Sequence, residues 1–143
     1  MDTRNRAGGP APLVDGGAAS GLSAKGVAAF VAALLFPGAG HALLGRWARA
    51  LLLAVLLLGT FGLGLLLHGK VYSYNETALS VFYMFADLGT GLIYLVCRFT
   101  GIGVDAQPAV ATFEYGTNLI CVAGLLNYLV ALDAYDIAVG RKA

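Results

Sequence analysis

Polar and apolar positions along this chain alternate on the scale of whole helices rather than single turns. Residues 25–36, 50–67, 78–99 and 117–139 are nearly unbroken apolar runs, parted by short polar or glycine-rich stretches. A helix that is apolar all round has no side to turn towards water. The pattern therefore predicts an all-α, polytopic helical membrane protein with three or four transmembrane helices. Residues 1–23 carry Gly, Ala, Pro and Ser with Arg4 and Arg6 and show no apolar period; they are read as a flexible tail before a membrane domain over 24–143.

The first run is too short for a span. At about 1.5 Å per residue, residues 25–36 reach ~18 Å, against ~30 Å of hydrocarbon. Either the helix stops partway, or it continues past a kink at Pro37 to residue 44. The run also has the length of a secretory h-region, with Gly38-Ala39-Gly40 small enough for cleavage. The preceding segment is long for such a leader and the next apolar run follows almost at once, so a retained helix is the expectation. The following turn, Phe36-Pro37-Gly38-Ala39-Gly40-His41-Ala42-Leu43-Leu44-Gly45-Arg46-Trp47, sets a proline and three glycines between two membrane-like helices. The chain must reverse there, with His41 and Arg46 beside the break. Those two side chains either meet a lipid phosphate or a partner, or satisfy backbone carbonyls that the break releases. Trp47 and Arg49 suit an interface anchor.

Composition sharpens this. Hydrophobic residues make up 59% and charged residues only 12%, half the charged share of a soluble domain (about 25%), so too few polar residues exist to cover a soluble surface. A net charge of +1 excludes a strongly basic nucleic-acid binder. Cys97 and Cys121 lie inside apolar runs, without a CxxC or clustered histidines, and read as small buried hydrophobes. No catalytic motif, phosphate loop, dinucleotide fingerprint or metal-ligand spacing appears, so no catalytic, cofactor-binding or metal site is expected and an enzyme is not. Asn75-Glu76-Thr77 fits a glycosylation sequon, which matters only in a glycosylating lumen.

Orientation depends on the first run. With four full spans, Arg4, Arg6, Lys25, Lys70, Arg141 and Lys142 share the N-terminal side, and Arg46, Arg49 and Arg98 lie opposite. With a re-entrant first run, Arg4, Arg6, Lys25, Arg46, Arg49 and Arg98 share the N-terminal side, and Lys70, Arg141 and Lys142 lie opposite. Both arrangements place the N-terminus in the cytoplasm, and charge does not choose between them. No sequence repeat links the two halves, so an inverted-repeat transporter is not expected.

Several polar residues fall inside the runs. A charge at the bilayer centre costs ~3 kcal/mol on insertion scales. Asp87 lies mid-run, and on a continuous helix Ser80, Tyr83, Asp87, Thr90 and Tyr94 form one stripe that must face protein or a wet cavity. It is either a proton or cation site, or a hydrogen-bonded carboxyl that fastens helices. In the last run Asn118 and Asp136 share a face, Asp133 lies close to it and Asn127 points away, so the two faces should meet different neighbours. Asp133 and Asp136 read as an interfacial pair meeting Arg141 or Lys142, with cation binding the weaker alternative.

The turn resembles that of the TM2-type small membrane proteins: a short apolar helix, a Pro-Gly-x-Gly-His-x-x-x-Gly-Arg-like turn and a second apolar helix, matched by Pro37, Gly38, Gly40, His41, Gly45 and Arg46. Ala42-Leu43-Leu44 departs from the aromatic-rich positions usual there, and the likeness covers roughly 25–67. Residues 114–118 and 133–136 also look like those of uncharacterised bacterial membrane proteins that carry the same turn. The resemblance implies a helical hairpin and no reaction. The expectation is a multi-pass protein of a bacterial inner (plasma) membrane that contacts the lipid bilayer and either a membrane-protein partner or its own copies, as a structural subunit or assembly factor. The alternative is a proton- or cation-conducting element centred on Asp87.

Overall fold

A computed structural model describes residues 23–74, 79–106 and 108–142. The expected tail and the sequon at residues 75–77 lie outside the described residues. Among the described residues the chain is all-helical, with six helices: α1 (Ala24–Leu35), α2 (Ala39–Leu43), α3 (Trp47–Leu66), α4 (Ser80–Leu88), α5 (Leu92–Thr100) and α6 (Phe113–Ala138). Two of them, α3 and α6, are long and apolar enough to cross a membrane; α4 and α5 would pass together but are bent by 120° at their junction.

Helix α6 is the axis. It packs against α1, α2, α3 and α4; its buried positions, from Gly116 to Ala134, form one broad face, and Val122, Leu125, Leu129 and Leu132 are exposed on the other. Small residues permit this. Ala29 and Ala33 of α1 meet Ala131 and Ala134 of α6 in one buried cluster, and such contacts let backbones approach closely where the hydrophobic effect between helices is absent. A second cluster joins Phe61, Val71, Tyr94, Cys97, Ile120 and Ala123 at the other end.

The contacts along α6 give each element a direction. Gly26, early in α1, lies against Tyr135 and Val139, whereas Ala33 reaches Asn127. α1 therefore runs from the C-terminal end of α6 to its middle and stops. The chain reverses at Pro37-Gly38, where Gly38 has φ of 85°, a left-handed conformation natural to glycine. α2 then climbs back, with Gly40 against Ala29, Ala33 and Ala134 and His41 against Asp133. α3 starts beside it and runs the full length, bringing Gly64 against Gly116 and Ile120.

The second half repeats this order from the opposite end. α4 begins near Asn118, to which Tyr83 is bonded, and reaches Tyr128, to which the Phe85 carbonyl is bonded. The chain breaks at Gly89-Thr90-Gly91. Gly91 has φ of 66° and lies so close to the Leu34 and Leu35 carbonyls that a Cβ would collide with them. α5 returns towards its starting end, where Gly103 meets Leu65 and Val71. α6 then runs the length back.

Two expectations are revised. Residues 78–99 are not one continuous helix, because Gly89 and Gly91 release the backbone in mid-run. A repeat of architecture is also present without a repeat of sequence. Each half is a helix, a break, a returning helix and a long helix, and the two halves enter from opposite ends. The breaks use different residues, Pro37-Gly38 in one half and Gly89-Thr90-Gly91 in the other, so residue comparison does not reveal the relation.

Candidate functional site

The two hairpin tips meet at Asn127. Its side chain is fully buried, and its Nδ2 donates to the Ala33 carbonyl (2.9 Å) and the Gly89 carbonyl (2.8 Å). Both acceptors are products of the breaks. In a continuous helix the Ala33 carbonyl would accept from residue 37, which is a proline without an N–H. The Gly89 carbonyl would accept from residue 93, but the helix has already broken. One amide group thus supplies both missing donors. Asn127 Oδ1 has no partner.

Asp87 lies one turn before the second break and is 1% exposed. Its Oδ2 accepts the Tyr72 backbone N–H at 2.9 Å, and its Oδ1 is buried without a partner. Thr90 donates both its Oγ1 hydroxyl (2.7 Å) and its backbone N–H (3.0 Å) to the Asp87 carbonyl at the end of α4. The irregular segment that brings Tyr72 here is held at each step. Lys70 N–H donates to Thr117 Oγ1, Val71 N–H to the Gly103 carbonyl, and Tyr94 Oη to the Tyr72 carbonyl. Non-helical backbone at this depth is viable only when its polar groups are answered by protein. The expected stripe is largely buried even though its helix breaks: Ser80, Asp87, Thr90 and Tyr94 are buried, with Tyr83 half-buried.

A polar hollow of about 250 Å³ opens over Tyr72, lined by Tyr83, Phe113, Glu114, Thr117 and Asn118. Tyr72 and Tyr83 stack there, with centroids 4.9 Å apart, and Tyr83 Oη reaches Asn118 Oδ1 at 3.4 Å.

A third polar group lies at the C-terminal end of α6. His41 is fully buried, and its Nε2 is 3.1 Å from Asp133 Oδ2. A carboxylate only accepts, so Nε2–H donates, and Nδ1 is left without a partner. Lys142 Nζ lies 2.9 Å from the other oxygen, Asp133 Oδ1, and Arg141 lies 3.5 Å from Asp136. The hydrogen bond to Asp133 holds the Lys142 ammonium above its ordinary pKa. The interfacial pairing expected of Asp133 and Asp136 is present, with His41 added to it.

The structure thus separates the sequence candidates into three places. His41 and Asp133 come together at one end, Asn127 joins the two tips, and Asp87 with Thr90 and Tyr94 lies towards the other end. Gly38 and Pro37 make the reversal. Arg46 donates its backbone N–H to the His41 carbonyl. The carbonyl freed by Pro37 is answered by Asn127, not by His41 or Arg46. The signal for that pairing was an isolated asparagine at the centre of an apolar run, but its two partners lie 94 and 38 residues away.

An all-helical chain with two spanning-length apolar helices, two broken hairpins and a buried polar centre defines a class of α-helical proteins suited to a membrane. Within it, the chain belongs to a family of unknown function, DUF6677, whose model matches residues 28–143. No curated protein and no solved structure matches it.

Proposed function

We propose that this is an integral membrane protein that moves protons through Asp87. The single observation behind the reading is the buried, unpartnered Asp87 Oδ1. An asparagine oxygen would accept the Tyr72 N–H equally well, so fastening the chain does not call for an acid. A carboxyl there is costly, and its distinguishing capacity is to take and release a proton on Oδ1. A metal cation asks for several oxygen ligands, and no group of three or more acidic, histidine or cysteine side chains suited to one occurs among the described residues. The hollow over Tyr72 leads from one end, and the His41–Asp133 pair lies at the other. Opposed hairpins meeting at mid-depth support the reading further, because transporters place ion sites where broken helices of inverted halves meet.

The same reading sets the membrane topology. Only α3 and α6 cross; the α1–α2 and α4–α5 hairpins enter from opposite faces and return. Lys25, Arg46, Arg49, Arg141 and Lys142 then share one face, and Lys70 and Arg98 the other, five against two. Over the same seven residues each arrangement drawn from sequence gives four against three, so the larger asymmetry here favours both ends of the membrane domain in the cytoplasm.

The test is proton flux in proteoliposomes under an imposed pH gradient. Wild type should collapse the gradient faster than protein-free vesicles, and Asp87→Asn should lower that flux at least tenfold with insertion unchanged. Equal flux from the two proteins would overturn the reading.

A second reading keeps the chain as a structural subunit. On the outer side of α3, Gly59 and Gly62 have open space beside them, which admits a close-packed helix from another copy or a membrane partner. The Asn127 face of α6 is occupied within the chain, whereas the face carrying Asn118, Leu125, Leu129 and Leu132 is exposed and is open to lipid or to such a neighbour. Cross-linking through cysteines at 59 and 62 in native membranes would detect such a neighbour; its absence, with flux present, leaves the first reading alone.

A further inference from the structure

We propose that the groove between the start of α3 and the end of α6 binds one phospholipid, with its phosphate on Arg49 and an acyl chain over Leu53, Leu126 and Leu129. Two adjoining hollows, of about 400 and 480 Å³, share Leu53 and Asp133. The first is lined by His41, Arg49 and Asp133 with Leu52 and Leu53, and the second by four leucines with Asp133, Asp136 and Lys142. From Asp133 to Leu126 is seven residues of α6, about 10 Å of depth. Across the two hollows Arg49, Asp133, Asp136 and Lys142 lie towards the start of α3 and the end of α6, and Leu53, Leu126 and Leu129 lie deeper, the polarity order of a phospholipid from headgroup to chain.

The charge balance at the mouth selects the headgroup atom. Asp133 is held by His41 and Lys142, and Asp136 by Arg141. Arg49 has no acidic partner among the described residues and lines the groove. A guanidinium offers paired donors that match a phosphate. Trp47 is 72% exposed two residues earlier, which fits the interfacial depth where headgroups lie. A fully buried His41 with an unpartnered Nδ1 adds a second polar group to the same wall. The inference rests on the membrane placement proposed above and is independent of the proton pathway.

The experiment is native mass spectrometry of the full chain extracted from membranes in mild detergent. Wild type and Arg98→Gln, altered at the opposite end, should each carry one phospholipid adduct. Arg49→Gln should reduce its occupancy at least tenfold, and Leu53→Phe, which narrows the trough without touching a charge, should reduce it as well. Arg49→Lys should retain part of it, which guards against an unfolded Gln variant. Equal adducts on Arg49→Gln and wild type, or none on wild type, would overturn the proposal. Displacement of the adduct by millimolar inorganic phosphate alone would also overturn it, since the site would then read free phosphate. None of these outcomes alters the expected flux through Asp87.

Discussion

At the residue scale, one side chain does the most to hold this fold. Asn127 gives both its amide hydrogens to carbonyls that the two chain breaks leave without donors. Replacing it with alanine strands two buried acceptors. Each unsatisfied group costs about 1–3 kcal/mol, so Asn127→Ala should lower the melting temperature in detergent markedly, while Asn118→Ala, at an exposed position, should lower it little. Equal losses would show that Asn127 is not the fastening point. Gly91→Ala should be worse than either, since it adds a left-handed strain to a collision with the Leu34 carbonyl; its expected outcome is loss of folded protein from the membrane fraction. Lys142 provides a pH marker. Its raised pKa means that its contact with Asp133 is present throughout the neutral range; it is lost as pH climbs through that raised value, and at the acid end as Asp133 protonates. Lys142→Met should therefore remove an alkaline destabilisation step from a melting series and also weaken the acid step, since protonating Asp133 breaks the same contact.

At the element scale, the informative helices are the short ones. α1 at 12 residues reaches about 18 Å, and α4 and α5 at nine residues each about 14 Å; none crosses ~30 Å of hydrocarbon alone. Length made the first of these legible in the sequence, since residues 25–36 were visibly too short. The second was hidden, because residues 78–99 have the length and hydropathy of a span, and Gly89 and Gly91 look like ordinary membrane-helix glycines until Gly91 takes φ of 66° and the Leu34 carbonyl closes on it. Burial was more legible than geometry. Asp87, Thr90 and Tyr94 are buried as their stripe required, because a polar side chain must face protein wherever its helix bends. The 120° bend between α4 and α5, read as a hairpin that returns to its own face, makes a direct prediction. Single cysteines replacing Lys70 and Arg98 should react with an impermeant thiol reagent from the same face of the membrane, and cysteines replacing Arg49 and Arg141 from the other. Labelling of positions 70 and 98 from opposite faces would restore a straight third span.

At the scale of the whole molecule, the two halves are related by order and direction, with nothing in the residues to announce it. Two long helices and two broken hairpins meet at Asn127, and the polar groups are divided between the two ends. The cation distribution, five against two among the described residues, is a property of this whole arrangement; no single helix could have indicated it. What the sequence hid was therefore the pairing of distant parts, while the class of the molecule and the burial of its polar residues could be read from local pattern.

The bond between Asn127 and the Ala33 carbonyl joins residues 94 positions apart, and this bears on how the protein is made. A ribosome delivers the first hairpin long before it delivers the residue that completes it. Until α6 arrives, the tip of α1 has an unanswered carbonyl and too little length to hold a transmembrane position. The first hairpin should accordingly wait at the membrane surface or in the insertion machinery, and enter only once the last helix is released. Nascent chains stalled before residue 127 should leave α1 open to protease, and chains released from the ribosome should protect α1, so that the membrane domain closes from its final helix backwards.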